Sequence, residues 1–398
     1  MTREDIFKQC TQQISKANCL FLELPTGYGK TKLAINLINH LCETKYAGKE
    51  TSLLLLVAKR VHKQTWKDEI GKWGGLKVDV VTTECYESLK KHKDERFTFI
   101  LMDEVHHIQS EVRIDLLESL KFDYMLGLSA TIPRGLKKYF SFQYHSKTVS
   151  CDIMEAIEDE VLPNPEILLM PLELDNTEYT ETIEINPKAK GETVYGDYRS
   201  FWKLKNAGVH AVLSCTKKQK LIEMNKLILW EKNRYMKTRN KALETIWLHH
   251  CGERLEFLAD CKVPLVKEML KKLRRYRTIT FCKTIEQTEL LGRNCIHSKN
   301  AKASEVYDRF NQKRVNHITA VNILNENANL VDCKYAIFAN LSSSEVIMPQ
   351  RIGRSMRHRS PVIIIPYYSG TREQEIVEKV FKGYNSEFIR TIHSIKEI

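Results

Sequence analysis

A short glycine-containing segment near the N-terminus constrains the fold of this chain more than any other feature. It follows an apolar run, precedes residues with helical spacing and reads Leu24-Pro25-Thr26-Gly27-Tyr28-Gly29-Lys30-Thr31. A strand, a glycine loop and a helix in this order predict a P-loop, whose backbone N–H groups bind phosphate. Lys30 would then reach the terminal phosphates of a nucleotide, and the Thr31 hydroxyl would hold Mg²⁺. Because Leu24 replaces the usual first glycine, a simple glycine turn before an amphipathic helix is the alternative.

The composition excludes several classes of protein. Hydrophobic residues make up 42% and charged residues 28% of the 398-residue chain, as in a globular protein with room for two domains. The apolar runs are too short to span a bilayer, and the first residues lack the apolar core of a signal peptide. Eleven cysteines are scattered without Cys-x-x-Cys spacing, which predicts reduced thiols. We therefore expect a cytoplasmic protein with no membrane partner.

The net charge of +12 is distributed unevenly along the chain. Residues 151–200 contain 13 acidic and 3 basic side chains, whereas residues 201–280 contain 19 basic and 7 acidic ones. A basic segment of this size attracts a nucleic-acid backbone. A solvated, lysine-rich pair of helices would have the same composition, so charge alone leaves both interpretations open.

Apolar runs that alternate with helical segments predict parallel α/β sheets, whose functional groups lie at the carboxyl ends of the strands. A first domain is predicted over residues 1–150 and a second over 151–398, with Pro163 and Pro165 near the boundary. Strand patterning fades at about 175–275, where a basic, largely helical insertion is predicted. The predicted strands are 19–22, 51–57, 78–82, 97–102, 124–128, 166–174, 278–281, 317–321, 335–339 and 362–365.

A pair of carboxylates follows one of these strands. Asp103 and Glu104 lie 73 and 74 residues after Lys30. At a strand end beside a P-loop, an aspartate can bind Mg²⁺ and an adjacent glutamate can orient and deprotonate the attacking water. The neighbouring His106 and His107 raise zinc binding as an alternative, but no cysteine or histidine lies at matching close spacing.

In order along the chain, these motifs resemble those of superfamily 2 helicases and translocases of the DExH type. The resemblance covers nearly the whole chain except residues 175–255, and it extends to compact phage-encoded helicases of the restriction type III and UvsW-like group. The matching segments are 25–31 (motif I), 57–66 (Ia), 82–89, 103–106 (II), 129–131 (III), 280–283 (IV), 325–330 (V) and 350–357 (VI). Asn327 and Asn329 depart from the family, which has Gly and often Asp there.

The resemblance implies an α/β fold with two RecA-like parallel-sheet domains in tandem and a helical insertion in the second. ATP and Mg²⁺ would bind in the cleft between them. The implied nucleotide contacts are Pro25, Thr26, Gly27, Tyr28, Gly29, Lys30, Thr31, Lys32, Asp103, Asn329 and Arg351, with Thr31 and Asp103 holding the metal. The implied catalytic residues are Lys30, Asp103, Glu104, Gln350, Arg354 and Arg357.

Arg354 and Arg357 would be the arginine fingers of such an enzyme. At a spacing of three residues they share one helix face. A guanidinium is planar and permanently charged, which suits it to stabilise charge on a γ-phosphate in the transition state. A basic surface helix is the alternative for this segment.

The resemblance also implies residues that link hydrolysis to nucleic acid. His106, Ser129 and Thr131 would couple the nucleotide state to the strand-binding surface. The implied backbone contacts are Lys59, Arg60 and Thr83 in the first domain and Lys283, His297 and Lys299 in the second. Aromatic residues of the insertion would either stack on bases or form the core of a helical hairpin; they are Trp202, Trp230, Tyr235 and Trp247.

We expect a nucleic-acid-stimulated ATPase that translocates on DNA and unwinds or remodels duplexes. Three alternatives remain open: a translocase that does not separate strands, an RNA helicase or ATP-driven nucleic-acid sensor, and a non-motor ATPase whose basic insertion binds a protein. If the chain is phage-encoded, it would act in the cytoplasm of the host cell. No motif identifies a protein partner.

Overall fold

The computed structural model describes residues 2–321, 330–342, 347–356 and 358–398. Two all-parallel β-sheets follow each other along the chain, which confirms the predicted pair of parallel-sheet domains in tandem. The strands of the first sheet are β1 (Cys19–Glu23), β2 (Ser52–Val57), β3 (Val80–Cys85), β4 (Arg96–Asp103), β5 (Lys121–Ser129) and β6 (Lys147–Ser150). Their order in the sheet is β3-β2-β4-β5-β1-β6.

Helices cover both faces of the first sheet. They are α1 (Arg3–Ile14), α2 (Lys30–Lys45), α3 (Arg60–Lys72), α4 (Glu111–Ser119) and α5 (Arg134–Tyr144). Along β2, Leu53 and Leu55 pack into one hydrophobic cluster, and Leu54 and Leu56 pack into another on the opposite face. Burial on both faces explains why these strands read as continuous apolar runs. The next helix, α6 (Ile153–Glu158), packs onto the cluster that includes α1 and α2.

Among the described residues, the second sheet has seven strands, β7 (Glu166–Leu172), β11 (Thr278–Phe281), β12 (Cys295–Ile296), β13 (His317–Ala320), β14 (Tyr335–Phe338), β15 (Val362–Tyr368) and β16 (Ile389–Thr391). Their order is β12-β13-β11-β14-β15-β7-β16, so β7 pairs with β15, far from it in sequence. The associated helices are α10 (Val263–Lys272), α11 (Ile285–Leu291), α12 (Ala303–Asn311), α13 (Ile347–Ser355) and α14 (Arg372–Val380). The carboxyl end of β14 leads towards α13, which carries the candidate arginine Arg354.

The insertion between β7 and β11 is helical only in part. Two long helices, α8 (Lys217–Thr238) and α9 (Lys241–Cys261), confirm the predicted helical content. Before them lie α7 (Phe201–Asn206) and a small sheet of β8 (Glu181–Ile185), β9 (Val194–Asp197) and β10 (Ala211–Cys215), in the order β8-β10-β9. The sequence did not predict these strands, because each has only four or five residues and polar side chains interrupt their apolar positions.

The helices α8 and α9 form an antiparallel hairpin. Tyr235 and Trp247 stack across it with ring centroids 5.7 Å apart, as the hairpin-core alternative predicts, whereas Trp202 and Trp230 are 59% and 54% exposed. At the base of the hairpin, the Lys262 Nζ atom lies 2.6 Å from Glu373 Oε1 of α14. Both side chains of this ion pair are fully buried, so the pair ties the hairpin firmly to the second sheet.

Two further features concern the cysteines and the apolar character of the helices. All eleven cysteines are free thiols. Within the described ranges, no helix combines the length and the apolar character that a membrane span needs.

Candidate nucleotide-binding and catalytic site

The P-loop connects β1 to α2 through two glycines with left-handed backbone angles. Gly27 has φ 98° and Gly29, the N-cap of α2, has φ 102°, conformations that strain a residue with a Cβ atom. Leu24, which stands in the place of the usual first glycine, is fully buried, and its N–H donates to the Ser129 carbonyl oxygen at 3.1 Å. Leu24 therefore continues the pairing of β1 with β5, and the turn starts only after it.

Two basic side chains donate hydrogen bonds to backbone carbonyl oxygens of the P-loop segment. Lys30 opens α2, and its Nζ atom donates to the Leu24 carbonyl oxygen at 2.9 Å. From outside, Arg3 Nε of α1 donates to the Tyr28 carbonyl oxygen, also at 2.9 Å. Tyr28 is fully buried, and its N–H donates to the Pro25 carbonyl oxygen at 3.2 Å.

Two buried carboxylates stand at the end of β4. Asp103 is 6% exposed and Glu104 3%. Glu104 has φ 51°, a left-handed angle that is uncommon for a residue other than glycine, and it turns the chain sharply after the strand. Asp103 Oδ2 accepts a hydrogen bond from Trp66 Nε1 of α3 at 2.8 Å, and the Asp103 carbonyl oxygen accepts one from the Tyr86 hydroxyl at 2.9 Å. The sequence did not predict either contact.

The three predicted coupling residues converge on Glu104. Ser129 Oγ lies 3.3 Å from Glu104 Oε2 and 2.8 Å from the Thr131 carbonyl oxygen. His106 Nδ1 lies 3.2 Å from Ser129 Oγ and 3.6 Å from Glu104 Oε2. The structure thus brings the candidate base into one polar network with the ends of β4 and β5.

A helix of the second domain packs directly against the P-loop. A Cβ atom built on Gly353 of α13 would lie 2.7 Å from Thr26 Cβ and 3.0 Å from the Thr26 carbonyl oxygen. One turn of α13 is therefore in close contact with the loop. Met356, just after α13, packs into the hydrophobic core of the first domain. These contacts bring the neighbouring Arg354, only 3% exposed, to the nucleotide side of the cleft.

A cavity of about 920 Å³ collects the candidate groups. Its volume is within the range of small-molecule sites. Both domains contribute to the lining, which includes Thr26, Gly27, Gly29, Lys30, Thr31, Lys32, Asp103, Glu104 and Arg354. The Thr31 hydroxyl and the Asp103 carboxylate are the hard oxygen ligands that Mg²⁺ prefers, so the donor set fits this ion. A second cavity of about 610 Å³ lies beside the same loop, against Pro25, Thr26, Thr131 and α14.

Some predicted site residues are not on this cavity. Arg351 is 1% exposed, its Nη1 donates to the Asn340 carbonyl oxygen at 3.1 Å, and its guanidinium lies 5.2 Å from the centre of the Phe281 ring. Burial lowers the pKa of Arg351 to about 10. This arginine belongs to the interior of the second domain, which corrects its prediction as a nucleotide contact. Gln350 is also buried, and Asn329, Asn327 and Arg357 lie outside the described residues.

The predicted nucleic-acid contacts fall into two groups. Lys59 follows β2 and is the N-cap of α3, Arg60 is exposed on the first turn, and Lys299 is exposed in the second domain. Lys283 follows β11 and is half-buried. Thr83, in contrast, lies within the edge strand β3 and not at its end.

His297, another predicted nucleic-acid contact, is buried. This residue follows the two-residue strand β12 and is 5% exposed. Its Nε2 lies 3.7 Å from Glu289 Oε1. In this conformation the imidazole is therefore largely covered by the second domain.

A zinc site at His106 and His107 gains no support from the geometry. The two rings are tilted by 33° to each other, with centroids 4.5 Å apart. In the part of the chain that the structure describes, no group of three or more His, Cys, Asp or Glu residues could hold a metal ion.

The close approach of α13 to the P-loop gives a first prediction. Gly353→Ala is expected to lower the ATP turnover rate at least tenfold, because the new methyl group would collide with Thr26 and push Arg354 away from the cavity. Steady-state hydrolysis at saturating nucleotide measures this effect.

Gly252→Ala is the matched control, since Gly252 also lies in a helix and a Cβ atom there meets nothing within 4 Å. Helix propensity alone favours both substitutions by about 1 kcal/mol. Equal, undiminished activity in both variants would contradict the packing of α13 on the loop.

Two family models match the chain. Residues 3–134 match the res subunit of type III restriction enzymes, and residues 261–359 match the helicase conserved C-terminal domain. The chain is 21% identical over 380 residues to "DNA 3'-5' translocase XPB2" of Sulfurisphaera tokodaii. The aligned region covers 90% of this chain and 77% of that protein.

Two further similarities concern a phage protein and a solved structure. Over 178 residues the chain is 25% identical to "Probable helicase D10" of Escherichia phage T5, covering 40% of this chain and 36% of that protein. Dbp5 of S. cerevisiae, solved with RNA and ADP BeF3, superimposes with a TM-score of 0.58 at 11% identity, covering 98% of this chain and 89% of that one. This second likeness concerns the fold alone.

Proposed function

Because the chain belongs to the superfamily 2 helicases and translocases, we propose that it hydrolyses ATP between its two sheets and uses the cycle to move along DNA. One observation carries the proposal. A single cavity collects a P-loop lysine and two buried carboxylates from one domain and a guanidinium from the other. That is the set of groups that phosphoryl transfer to water requires.

Each side chain has a role that follows from its place. The P-loop N–H groups and Lys30 hold the phosphates, and Thr31 and Asp103 would hold Mg²⁺, which neutralises phosphate charge when bound. Glu104 orients the attacking water and accepts its proton. Arg354 stabilises the charge that develops on the transferred group, as a permanently charged donor in a site with little water.

The site is complete only while the two domains are in contact. We propose two domains, predicted at residues 1–150 and 151–398, and move the boundary between their cores to the segment near Pro163 and Pro165, because α6 packs on the first core. Separation of the domains would withdraw Arg354 together with Gly353 from the P-loop. Closure on ATP and opening after hydrolysis can then be coupled to a bound strand, as in other enzymes with moving lids.

The network around Glu104 supports such coupling. Ser129 and Thr131 lie at the end of β5, and His106 follows β4, so a shift at either strand end changes the surroundings of Glu104. Lys59 and Arg60 at the start of α3, with Lys283 and Lys299 in the second domain, are the proposed backbone contacts. DNA is the favoured substrate because the relative that is matched over 77% of its length is named as a DNA translocase.

The far end of the hairpin is a further proposed contact with nucleic acid. Between Glu231 and Glu244 the chain has five basic residues and no acidic one. Lys220, nearer the base, pairs with Glu181 at 2.7 Å, whereas Lys232, Lys237 and Lys241 are exposed on the far half. The charge available to a phosphate backbone is thus concentrated at the end of the hairpin.

Neutralising that end gives a second prediction. The variant with Lys232, Lys237, Arg239 and Lys241 all changed to Ala is expected to bind DNA more weakly at low salt. Its plot of log affinity against log salt should be shallower by about one unit for each phosphate that is no longer neutralised. Fluorescence anisotropy of a labelled oligonucleotide at four salt concentrations measures the slope.

The matched control removes four exposed basic residues elsewhere, Lys267, Lys271, Arg274 and Arg275. This control should keep the wild-type slope. If the plots of log affinity against log salt had the same slope in both variants, the end of the hairpin would not be part of the DNA-binding surface.

The overall proposal is tested with a panel of polynucleotides. ATP hydrolysis is measured with single-stranded, duplex and forked DNA and RNA, together with strand displacement on labelled forks. If DNA stimulates ATP hydrolysis and the strands of the fork separate, the protein is an unwinding motor. If DNA stimulates ATP hydrolysis but no strand is displaced, it is a duplex translocase. Preference for RNA would replace DNA as the substrate, and a rate that ignores every polynucleotide would refute a nucleic-acid motor.

We further infer a cytoplasmic setting. All eleven cysteines are free thiols, which suits a reducing compartment. Since one relative is a phage protein, the host cell cytoplasm is the corresponding compartment if this chain is also phage-encoded.

A further inference from the structure

A tryptophan outside the P-loop and the carboxylate pair contacts one of the proposed metal ligands. Trp66 Nε1 of α3 donates to Asp103 Oδ2 at 2.8 Å, across 37 residues of sequence. Both partners are almost fully buried, with exposures of 2% for Trp66 and 6% for Asp103. The indole N–H is a donor only, so Asp103 Oδ2 is the acceptor of this bond.

This bond orients the side chain of Asp103, while a separate one holds its backbone. The Tyr86 hydroxyl donates to the Asp103 carbonyl oxygen at 2.9 Å. Burial, reinforced by the negative charges of Asp103 and Glu104, raises the pKa of Tyr86 well above its usual value, so its hydroxyl stays protonated. Asp103 is therefore fixed at two points by two different donors, and of these two bonds the one from Trp66 reaches the carboxylate.

The helix that carries Trp66 is also a wall of the nucleotide cavity. Thr65 and Glu69 of α3 line it, as does Trp73 just after the helix. Trp66 lies between them in sequence and points into the core of the first domain. A hydrogen bond to an ionised acceptor in such a dry setting is strong and directional. Partners of this kind orient metal ligands and are nearly as important as the ligands themselves.

We propose that Trp66 is a positioning residue for magnesium: its indole N–H holds the Asp103 carboxylate in the orientation that binds the ion. The inference rests on the proposed function, since it takes Asp103 as a ligand of Mg²⁺ with the nucleotide. It adds a residue that acts through Asp103 and does not itself bind nucleotide or metal. Its effect should appear in metal-dependent binding and leave metal-free binding of the nucleotide unchanged.

The test compares ADP binding with and without Mg²⁺ by isothermal titration calorimetry. Trp66→Phe keeps an aromatic ring in the core but removes the N–H group. We expect ADP affinity without metal to stay within about twofold of wild type, and the gain from Mg²⁺ to shrink by about tenfold, the lower end of the loss when a partner of a metal ligand is removed. Tyr86→Phe is the matched control, since it removes a bond to the same residue at its carbonyl oxygen.

The outcomes separate positioning from loosening of the core. The proposal is supported if Mg²⁺ raises ADP affinity less in Trp66→Phe than in wild type and by the normal factor in Tyr86→Phe. The proposal is overturned if Mg²⁺ raises the ADP affinity of Trp66→Phe as much as that of wild type. It is also overturned if this increase in affinity is reduced equally in both variants, which would indicate general loosening around Asp103. Because binding of ADP is measured, a protein that binds Mg²⁺ and ADP but is not stimulated by nucleic acid would refute the motor and leave this inference standing.

A second measurement uses the wild-type protein and needs no folded Trp66 variant. The chain has five tryptophans, so its nitrogen-15 spectrum contains five indole N–H resonances. Phenylalanine substitutions at Trp73, Trp202, Trp230 and Trp247 identify four of them, and the fifth belongs to Trp66. That resonance should exchange slowly with solvent and shift when Mg²⁺ is added to the ADP complex. Rapid exchange, or no shift on addition of Mg²⁺, would overturn the proposal.

Discussion

Replacing Lys30 with alanine is expected to lower ATP turnover by about 10²–10³-fold, the cost of removing one charged stabiliser of a phosphoryl transition state. Lys30 is the first residue of α2, lines the cavity and reaches the start of the P-loop at Leu24. Alanine is the best helix former, so α2 and the loop should survive the change. Steady-state hydrolysis and nucleotide affinity together separate lost catalysis from lost binding.

The charge-preserving Lys30→Arg variant sharpens this test. The planar arginine guanidinium is larger than the lysine ammonium and does not fit the same space beside the loop. We therefore expect the Lys30→Arg variant to be nearly as inactive as Lys30→Ala. Lys49→Ala, at an exposed position beyond the same helix, controls for loss of a positive charge and should hydrolyse ATP normally. More than half of the wild-type rate in Lys30→Ala would contradict the assignment of the P-loop.

Glu104→Gln is expected to lower turnover by about 10²–10⁴-fold, the usual range for loss of a general base. The amide has the shape of the carboxylate, so it can keep the place beside Ser129 Oγ and His106 Nδ1, but it cannot accept a proton from water. ATP should therefore bind normally and stay intact. Rapid filtration with labelled ATP, followed by analysis of the bound nucleotide, checks both expectations.

A glutamate far from the site provides the control. Glu95 is exposed and pairs with His92, and its change to glutamine should leave hydrolysis unchanged. If Glu104→Gln released ADP at the wild-type rate, the base would have to be a different group. If it failed to bind ATP, Glu104 would be a binding residue and not a catalytic one.

Local motifs predicted the parts of the site that are continuous in sequence. The P-loop and the Asp103-Glu104 pair could be identified because a strand end, a turn and particular side chains occur together over a few residues. The parallel sheets could be predicted because strands buried on both faces leave long apolar runs. Arg354 could be placed only by family resemblance, and the structure puts it on the cavity.

Contacts between distant segments could not be predicted in this way. The approach of Gly353 to Thr26 joins two domains, and the bond from Trp66 to Asp103 joins a helix to a strand. No spacing rule encodes either of them. His297 illustrates the same limit: a motif places it after a strand, but only the packing around that strand decides how far it is exposed. The three strands of the insertion were not predicted because they are short and polar side chains interrupt their apolar positions.

The buried pair of Lys262 and Glu373 has a mechanical consequence. Removing one partner would leave an unpaired charge in the interior at a cost of about 3–5 kcal/mol, so we expect the base of the hairpin and α14 to move together. Lys262 caps α9, which forms one arm of the hairpin and is about 32 Å long at about 1.5 Å per residue. The helix α14 forms one side of the crevice that Thr26 and Thr131 line. A displacement of the hairpin tip would therefore be transmitted through this ion pair to α14 and to the cavity between the two domains.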